Sequence, residues 1–520
     1  MRPQPPKALS TVQYRYLAVS LFLTGAVTLV LEIVGTRVIS PFYGSSLYCW
    51  SALITVTLIS LAAGYSLGGR YADRSPSLTQ FARLSCYAGA ACALVPLLRN
   101  PVLRTTAGLG IQLGALTSAT VLIAPTLILL STLGPLAIRL TTLGLESMGR
   151  RVGDVYTVST LGSVTGAVLA GFVLIPHLGI SHILYGISVL LLLIGAVGLS
   201  LSTKSLPLGP LVAATGLACW GFWPKVVPQT NLLVNTESAY GQIKVIDYDT
   251  DPKDVKRYLL VNGTSQSVAR ADGESDSQYM HAAEWAALLR PQAKRALVIG
   301  LGAGLLPSAL ERVYRLTTDA VDIDPEILRM AQTYFSYRPI GEAAVEDGRT
   351  YLERQPAGRY GIIFIDAFGT ESPPYHLFTR EAFETVRGRL EPGGILAVNL
   401  VSVVKGSGDG AYLAAYKTLS SVFPKVRAFI ASDTYDDIGN VLFFCSEGPL
   451  DAAATKGKER EVIRKDIAGM LSRELHPTDA QLSGAVLLTD DHAPIEFLLA
   501  ETAGRWRVNL QKQVSDLLLY

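Results

Sequence analysis

Residues 296–304 read Ala-Leu-Val-Ile-Gly-Leu-Gly-Ala-Gly, an apolar run followed at once by three glycines at alternate positions. The apolar run predicts a buried strand, and the residues Leu305–Tyr314 that follow predict a helix. Glycines between a strand and a helix allow a ligand to approach the backbone closely. Gly300, Gly302 and Gly304 therefore indicate a ligand site at the carboxyl end of this strand.

The chain beyond this turn alternates between strands and helices, which predicts a doubly wound, Rossmann-like sheet of the methyltransferase type. The chain before it contains short strands, which predict a small antiparallel β-sheet. The predicted strands of the small sheet are Leu232–Asn235, Gly241–Tyr248 and Arg257–Asn262, and a helix follows at Ser277–Leu289. The remaining predicted elements are the strands Asp319–Ile323, Ala343–Val345, Gly361–Ile365, Ile395–Leu400, Val426–Ile430 and Val441–Cys445, and the helices Pro325–Tyr334, Arg349–Arg354 and Thr379–Leu390.

Acidic residues stand at the carboxyl ends of the three strands that follow the glycines. Asp322 ends the second strand, where a carboxylate can accept hydrogen bonds from both ribose hydroxyls. Asp347, which precedes Gly348, ends the third strand and is placed to read an adenine edge, and Asp366 ends the fourth. No basic residue accompanies the glycines, and Asp322 would repel a phosphate chain. The pattern favours S-adenosylmethionine or a relative over NAD or ATP.

Charge divides the chain into two unlike parts. Only 17% of the 520 residues are charged, against about 25% in an average soluble protein. Residues 1–223 hold 13 basic and four acidic residues, whereas residues 224–520 hold 32 basic and 39 acidic ones. These counts exclude a single soluble globule, a disordered chain and a nucleic-acid binder built on a basic domain. The five cysteines show no metal-like spacing and no disulfide framework.

Long apolar segments predict a polytopic membrane domain of about seven spans over residues 1–224, because roughly 17–25 apolar residues cross a bilayer. The longest segment is either strongly tilted or broken at Pro125. Arginine and lysine cluster before the first segment and after the second and fourth, which puts the amino terminus in the cytoplasm. Seven spans then place the second part outside the cell, and eight place it inside. The segments are Tyr16–Ile39, Ser51–Gly69, Phe81–Leu98, Leu109–Leu140, Val155–Ile175, Ile183–Leu201 and Leu208–Trp223.

Two features inside these segments point to contacts between helices. Gly162 and Gly166 form a face of small residues in the fifth segment, which predicts close helix packing. Glu32 and Arg37 lie in the first segment, where charged side chains are candidates either for helix pairing or for contact with a substrate.

Residues from about 235 to 500 resemble the spermidine synthases, which are polyamine aminopropyltransferases, and the whole chain resembles a membrane-anchored branch of that family. The resemblance implies a synthase domain over residues 225–520, with the small sheet at 225–275 and a nucleoside-binding catalytic part at 276–520. It also implies a homodimer or a higher homo-oligomer. The matching stretches are Tyr240-Gly-Gln242, Leu260-Val-Asn-Gly-Thr-Ser-Gln266, Gly300–Gly304, Val321-Asp-Ile-Asp324, Glu346-Asp-Gly348, Ile365-Asp366 through Leu377-Phe-Thr379, and, for the membrane branch, Glu32–Arg37, Gly64–Gly69 and Leu487–Glu496.

The activity that this resemblance implies is aminopropyl transfer from decarboxylated S-adenosylmethionine to a small amine such as putrescine. The products are spermidine and methylthioadenosine, and no metal is expected because the sulfonium activates the reacting carbon. Asp366 is the implied general base, since an ammonium must lose a proton before it can attack. The implied nucleoside-site residues, besides the three glycines, are Gln242, Asp322, Asp347, Gly348 and Pro373.

The part of the family pattern that holds the acceptor amine is altered in this chain. Soluble spermidine synthases carry an acidic residue in the glycine-rich loop, where this chain has Ala303, and a second aspartate three residues after the base, where it has Gly369. They also place His-Glu after a helix tyrosine, where this chain has Met280-His281. Glu371 or Glu284 is expected to compensate. The expected acceptor contacts are Tyr240, Gln266, His281 and Glu371.

Two alternatives to the aminopropyltransferase remain open on the sequence. One is a methyltransferase that uses S-adenosylmethionine on an amine, a lipid or another membrane-associated acceptor. The other is a transporter or sensor whose α/β domain only binds a nucleoside. We expect a multi-pass membrane protein. Its catalytic domain is expected on the cytoplasmic side, because such nucleosides are made in the cytoplasm.

Overall fold

The structure is a computed structural model that describes residues 9–43, 47–74, 76–142, 148–203, 207–221, 231–248, 255–369, 372–431, 438–451, 461–500, 502 and 505. The chain forms two compact units, Met1–Val226 and Val227–Tyr520. The first unit is helical. Its helices are α1 (Thr11–Tyr43), α2 (Leu47–Arg74), α3 (Leu78–Thr106), α4 (Gly110–Leu122), α5 (Ala124–Thr141), α6 (Met148–Leu169), α7 (Ile175–His177), α8 (Ile180–Thr203) and α9 (Leu208–Gly221).

Six helices in the described part of the first unit are long and apolar enough to cross a membrane. The predicted segment Leu109–Leu140 is broken rather than tilted, because α4 ends at Leu122 and Pro125 stands in the first turn of α5. Proline has no N–H with which to continue the hydrogen bonds of the preceding helix. The seventh predicted segment forms α9, which has only 14 residues and so reaches about 21 Å at 1.5 Å per residue.

Close packing at glycines joins these helices in pairs, α1 with α6, α2 with α5 and α3 with α8. The predicted contact face in α6 is present, since a Cβ on Gly162 would overlap the backbone of Phe22, and one on Gly166 that of Ala26. The two charged residues of the first segment both lie in α1. Close by, Arg99 of α3 donates a hydrogen bond to the carbonyl oxygen of Val38 at 2.9 Å.

The second unit begins with an antiparallel sheet that has four strands in the described residues: β1 (Asn231–Glu237), β2 (Gln242–Tyr248), β3 (Lys256–Val261) and β4 (Thr264–Ala269). The sequence analysis missed β4 because Thr264–Ser267 is polar and shows no apolar alternation. Asn262 and Gly263, with φ of 49° and 74°, form the tight turn before it. Asn-Gly with positive φ at both residues is a typical hairpin turn.

The larger sheet has the order β12-β10-β11-β9-β8-β5-β6-β7 within the described residues. Strands β5 to β9 run parallel, whereas β10, β11 and β12 are antiparallel. Strand β11 is antiparallel to both of its neighbours, β9 and β10, so β10 runs in the same direction as β9. The strands are β5 (Arg295–Ile299), β6 (Thr317–Asp322), β7 (Ala343–Val345), β8 (Tyr360–Ile365), β9 (Leu390–Val403), β10 (Lys425–Ile430), β11 (Ile438–Ser446) and β12 (Glu474–Leu475).

Helices cover both faces of this sheet. One face packs Trp285 and Leu310, and the other packs Phe383 and Leu419. The predicted fold class is confirmed: a helical unit is followed by an α/β unit with a small antiparallel sheet and a methyltransferase-like sheet. The helices of this unit are α10 (Gln278–Ala283), α11 (Trp285–Leu289), α12 (Leu305–Tyr314), α13 (Pro325–Tyr334), α14 (Gly348–Arg354), α15 (Arg380–Arg389), α16 (Gly410–Val422), α17 (Glu461–Leu471), α18 (Asp479–Gly484) and α19 (Ile495–Leu498).

Candidate functional site

The glycine-rich turn between β5 and α12 lies directly against the end of β8. Gly300 has a φ of 95°, which disfavours any residue with a side chain. A Cβ at this position would overlap the carbonyl oxygen of Asp366. The Asp366 N–H in turn donates to the carbonyl oxygen of Ile299 at 2.8 Å. The turn and the predicted base are therefore held side by side by backbone contacts.

The other two glycines of the turn face the small sheet and the end of α13. A Cβ on Gly302 would lie 2.7 Å from the hydroxyl oxygen of Ser267, and one on Gly304 would lie 2.6 Å from the ring of Tyr337. The N–H of Ala303 donates to the same hydroxyl of Ser267 at 3.1 Å. Ala303 is buried among apolar side chains. Alanine therefore places no charge at this point of the turn.

Asp322 follows β6 and holds the neighbouring loops by its carboxylate. One oxygen accepts the N–H of Leu301 at 2.9 Å, and the other accepts the N–H of Asp324 at 3.0 Å. Burial raises the pKa of Asp322 to about 6, against the opposing effect of these hydrogen bonds. The backbone N–H of Gly302 also acts on this carboxylate and lowers its pKa. A carboxylate has about four lone-pair sites, so Asp322 can still accept a hydrogen bond from a ligand.

Three predicted site residues, Tyr240, Gln242 and Gln266, belong to the small sheet and its connections. Tyr240 is largely exposed, and the pKa of its phenol is raised by burial and by the negative charges of Asp324, Asp322 and Asp347. The N–H of Gln242 donates to the side chain of Asn262 at 3.0 Å. Gln266 is the extra residue of a β-bulge in β4, opposite the step from Leu259 to Leu260, and bulges commonly redirect a side chain.

Asp347 caps α14, with one carboxylate oxygen accepting the N–H of Thr350 at 2.9 Å. The other oxygen lies 2.7 Å from Nε2 of His376. Although burial opposes them, these partners hold the pKa of Asp347 below its usual value. The next residue is glycine because a Cβ on Gly348 would overlap the side chain of Ile299.

Asp490 holds helix α14, which Asp347 caps, in place. Arg349 of α14 donates to both carboxylate oxygens of Asp490, at 2.6 and 2.7 Å, and Thr379 donates to one of them at 2.7 Å. The hydrogen bonds from Arg349 lower the pKa of Asp490 to about 2. The carboxyl-terminal motif Leu487–Glu496 therefore ties α14 to the start of α15.

Asp366 is half-buried at the end of β8, and both of its oxygens accept hydrogen bonds from side chains. Asn399 donates to one oxygen at 2.8 Å, and the phenol of Tyr279 donates to the other at 3.3 Å. Burial raises the pKa of Asp366, and the two hydrogen bonds partly offset that increase. A carboxylate in these surroundings is a stronger base than one in water.

The remaining predicted residues lie in different settings. Pro373 is buried beside a turn in which the N–H of Gly369 donates to the carbonyl oxygen of Ser372 at 2.8 Å, and Glu371 lies outside the described residues. His281 is buried, with Nδ1 at 2.7 Å from Asp466 and Nε2 at 3.0 Å from the carbonyl oxygen of Ser275. To hold an amine, His281 would have to give up one of these partners.

Two candidate residues escaped the sequence analysis. Asn399 is a polar residue inside the apolar strand β9, one position after the residue that pairs with the last residue of β8. A buried polar residue at the carboxyl end of a parallel strand was the available signal. His376 lies in the short helical turn before α15, and no spacing connects it to Asp347.

Together these residues form two adjacent sets of acceptors at the carboxyl ends of β6, β7 and β8, where open α/β sheets bind ligands. Asp322 and Asp347 can accept hydrogen bonds from a nucleoside, and Asp366 can bind and deprotonate a cationic amine. Among the described residues, no group of three His, Cys, Asp or Glu side chains is placed to hold a metal ion.

Comparison with known proteins identifies the domain that carries this site. Residues 280–432 match the family model of the spermine/spermidine synthase domain. A probable polyamine aminopropyl transferase of Bifidobacterium longum is 26% identical over 326 residues, which cover 58% of this chain and 69% of that protein. A polyamine aminopropyltransferase of Vibrio vulnificus is 29% identical over 209 residues, which cover 38% of this chain and 69% of that protein.

A solved structure is also similar to part of this chain. The crystal structure of a probable spermidine synthase from Corynebacterium glutamicum is 19% identical, with a TM-score of 0.41, and covers 49% of this chain and 96% of that one. The family match includes Asp322, Asp347 and Asp366 and begins one residue after Tyr279. The carboxyl-terminal part of this chain therefore contains a spermine/spermidine synthase domain.

Proposed function

We propose that this chain transfers an aminopropyl group from decarboxylated S-adenosylmethionine to an amine such as putrescine, giving spermidine and methylthioadenosine. The observation that carries the proposal is the setting of Asp366. It is a half-buried carboxylate that accepts hydrogen bonds from Asn399 and Tyr279 beside the glycine-rich turn. The family match of the domain and the names of its relatives support the same reaction.

The donor nucleoside fits the acceptors at the ends of β6 and β7. Asp322 would accept hydrogen bonds from the ribose hydroxyls, and Asp347 would face the adenine edge beside Gly348. Gln242, Pro373 and the three glycines would line the rest of the nucleoside. The donor also carries a sulfonium and an ammonium, and both positive charges are attracted by the nearby carboxylates.

Asp366 would act on the acceptor amine. Its carboxylate takes one proton from the ammonium, and the freed nitrogen lone pair attacks the aminopropyl carbon bonded to sulfur. A carbon–nitrogen bond forms as the carbon–sulfur bond breaks, and the bonding pair stays on sulfur as a neutral thioether. Because burial raises the pKa of Asp366, the carboxylate takes up the proton more readily than an exposed aspartate would.

Replacing the base tests this assignment. The Asp366→Asn variant keeps the shape of the side chain but cannot take a proton, so we expect amine-dependent release of methylthioadenosine to fall at least about 100-fold. The control is direct binding of methylthioadenosine, which should change less than about threefold because Asp366 does not contact the nucleoside. Wild-type turnover in the variant would remove Asp366 from the mechanism.

We also propose a membrane topology that puts the synthase domain in the cytoplasm. In the α2–α5 pair a Cβ on Gly64 would overlap the carbonyl oxygen of Ile128, and one on Gly68 that of Thr132, so these two helices run parallel. If the break near Pro125 separated two crossings, α5 would run opposite to α2. Helices α4 and α5 together therefore make one crossing, and six crossings return the chain to the side of its amino terminus.

The charge pattern supports the same topology. One crossing for α4 and α5 keeps the arginines after α2 and after α5 on the amino-terminal side, which is the cytoplasmic side by the positive-inside rule. Helix α9 is too short for an upright crossing of a core about 30 Å thick. Trypsin should therefore cleave the synthase domain in inside-out vesicles and leave it intact in right-side-out vesicles. The reverse result would contradict the six-crossing topology.

A further inference from the structure

Glu32 places a carboxylate inside helix α1, the first of the long apolar helices. It lies about 10 Å from the middle of the span Thr11–Ser40 at 1.5 Å per residue, which is within a hydrocarbon core about 30 Å thick. Glu32 is half-buried, and no hydrogen bond or ion pair joins it to any residue that the structure describes. A carboxylate at this depth is costly without a partner, and such residues mark functional sites.

Three helices meet one turn away from Glu32. A Cβ on Gly35 of α1 would lie 2.9 Å from the side chain of Leu53 in α2 and 3.8 Å from that of Ile123, at the break between α4 and α5. Helix α2 runs antiparallel to α1, since Cys49 also donates to the carbonyl oxygen of Tyr43, and α5 runs parallel to α2. A step of one turn along the bundle therefore goes to lower residue numbers in α1 and to higher ones in α2 and α5.

That step reaches a polar residue in each of the three helices. Glu32 of α1, Thr57 of α2 and Thr126 of α5 stand three or four residues from the contact at Gly35. Residues at this spacing share one face of a helix, so the three side chains belong to faces that meet. Thr57 is 2% and Thr126 1% exposed, and neither hydroxyl has a hydrogen-bond partner in the described part of the chain.

Other hydroxyls in these helices are satisfied by their own backbone. Thr36 of α1 donates to the carbonyl oxygen of Ile33 at 2.6 Å, and Thr132 of α5 donates to that of Leu129 at 2.6 Å. This is the usual arrangement for threonine inside a helix. The two unpartnered hydroxyls, on the same level as an unpartnered carboxylate, therefore require a specific explanation.

The break between α4 and α5 adds a backbone acceptor near this level. Pro125 has no N–H, so the carbonyl oxygen of Val121 lacks the donor that a continuous helix would provide. Broken helices at membrane depth are tolerated where they are buried in protein or line a cavity, and in transporters they form binding sites. The break thus lies where a ligand would reach Glu32, Thr57 and Thr126.

An ammonium group matches these acceptors. It carries three N–H donors and no acceptor, and the site offers one carboxylate and two hydroxyl oxygens. Its positive charge would offset the charge of Glu32 in the hydrocarbon core. We propose that Glu32, Thr57 and Thr126 bind the ammonium group of a polyamine inside the helical unit. The inference goes beyond the proposed aminopropyl transfer, because it gives a ligand to the unit that does not carry the synthase site.

Labelling with dicyclohexylcarbodiimide, a small apolar reagent that adds to carboxyl groups in membranes, tests the occupancy of Glu32. The full chain in detergent would be labelled with and without spermidine, digested with trypsin and analysed by mass spectrometry. Glu32 is the only acidic residue of the tryptic peptide Tyr16–Arg37, so an adduct on this peptide reports Glu32 alone. We expect saturating spermidine to reduce the labelling at least about tenfold, and sodium chloride of equal ionic strength to leave it unchanged.

Variants of the two hydroxyls test the rest of the site. Thr57→Val and Thr126→Val keep the shape of the side chain and remove the hydroxyl. Each should raise the spermidine concentration for half-protection of Glu32 about three- to tenfold, as for the loss of one hydrogen bond. The matched control is Thr36→Val, which removes a buried hydroxyl already bonded within α1 and should leave half-protection unchanged.

Several results would overturn the proposal. Labelling of Glu32 that spermidine does not reduce would show that no polyamine binds there, and equal protection by sodium chloride would indicate a site for any cation. A carboxyl that the reagent does not label at all is closed to small molecules and cannot admit an amine. Unchanged half-protection in both threonine variants would remove the hydroxyls from the site. Failure of aminopropyl transfer would not affect these results, because the labelling requires no turnover.

Discussion

The proposed nucleoside side of this site, around Asp322, and the proposed acceptor side, around Asp366, are held in different ways. Asp322 is fixed by backbone N–H groups of Leu301 and Asp324, and the nearby turn leaves room only for glycine at position 300. Asp366 is fixed by the side chains of Asn399 and Tyr279, from a neighbouring strand and from helix α10.

This difference separates what the fold requires from what can vary. Backbone N–H groups are present whatever the sequence, so the nucleoside side tolerates change around it as long as its glycines and strand-end carboxylates remain. Side-chain partners change with single substitutions, so the acceptor side can be altered while the fold stays the same. Ala303 and Gly369, where the resemblance leads us to expect carboxylates, would be changes of this second kind.

The largest effect is expected when the carboxylate of Asp322 is removed. Asp322→Ala removes both proposed acceptors of the ribose hydroxyls, and each charge-assisted hydrogen bond contributes about 1.5–3 kcal/mol. We expect the Kd for methylthioadenosine to rise about 100-fold or more, measured by calorimetry on the detergent-solubilised chain. An unchanged Kd would show that the nucleoside binds elsewhere.

A pH titration tests whether the ionised form of Asp322 binds the nucleoside. Burial raises the pKa of Asp322 to about 6, so the carboxylate is mostly protonated at pH 5 and mostly ionised at pH 7. The affinity for methylthioadenosine should therefore rise about tenfold between these two pH values. In Asp322→Asn this dependence should disappear. A wild-type affinity that is flat across this range would argue against an ionised Asp322 as the ribose acceptor.

A smaller effect is expected on the acceptor side. Tyr279→Phe removes one hydrogen bond that stabilises the ionised form of Asp366, so its pKa should rise further. The rising limb of the kcat profile should move to higher pH, and the rate at neutral pH should fall about three- to tenfold. Methylthioadenosine binding serves as the control. An unchanged pH profile of kcat would show that Tyr279 does not influence the pKa of Asp366.

The smallest effect concerns the residue that links Asp347 to the turn before α15. His376→Ala removes the contact with Asp347 but leaves the cap of α14, since Thr350 keeps its hydrogen bond. We expect the KM for the donor to rise about two- to fivefold, with the KM for putrescine unchanged. An effect confined to the amine would place His376 on the acceptor side.

The sequence points to the residues around Asp322 more readily than to the partners of Asp366, for a physical reason. Gly300 and Asp322 lie at strand ends within a short span of chain, so periodicity and spacing reveal them together. Asn399 acts on Asp366 across 33 residues of chain, through a strand register that no local pattern specifies. His281 shows the same limit, because its partner Asp466 lies 185 residues away.

In the fold, too, the elements that local signals specify are predicted, and those that depend on distant contacts are not. Helices α12 and α13 have the predicted bounds because their apolar periodicity and the proline at the start of α13 are local signals. Strand β4 was missed because its residues are polar, although the Asn262-Gly263 turn before it was a usable signal. The proposed number of membrane crossings rests on the packing between α2 and α5, which no local pattern in the sequence specifies.

The most direct test of the account is a product assay with doubly labelled donors. S-adenosylmethionine and its decarboxylated form would each carry carbon-13 in the methyl group. Each would also carry deuterium in the three-carbon group that aminopropyl transfer moves from sulfur to the amine, and putrescine would be the acceptor. The account predicts deuterated spermidine and an equal amount of carbon-13 methylthioadenosine from the decarboxylated donor only. A carbon-13 methylated amine from intact S-adenosylmethionine, without any deuterated polyamine, would contradict it.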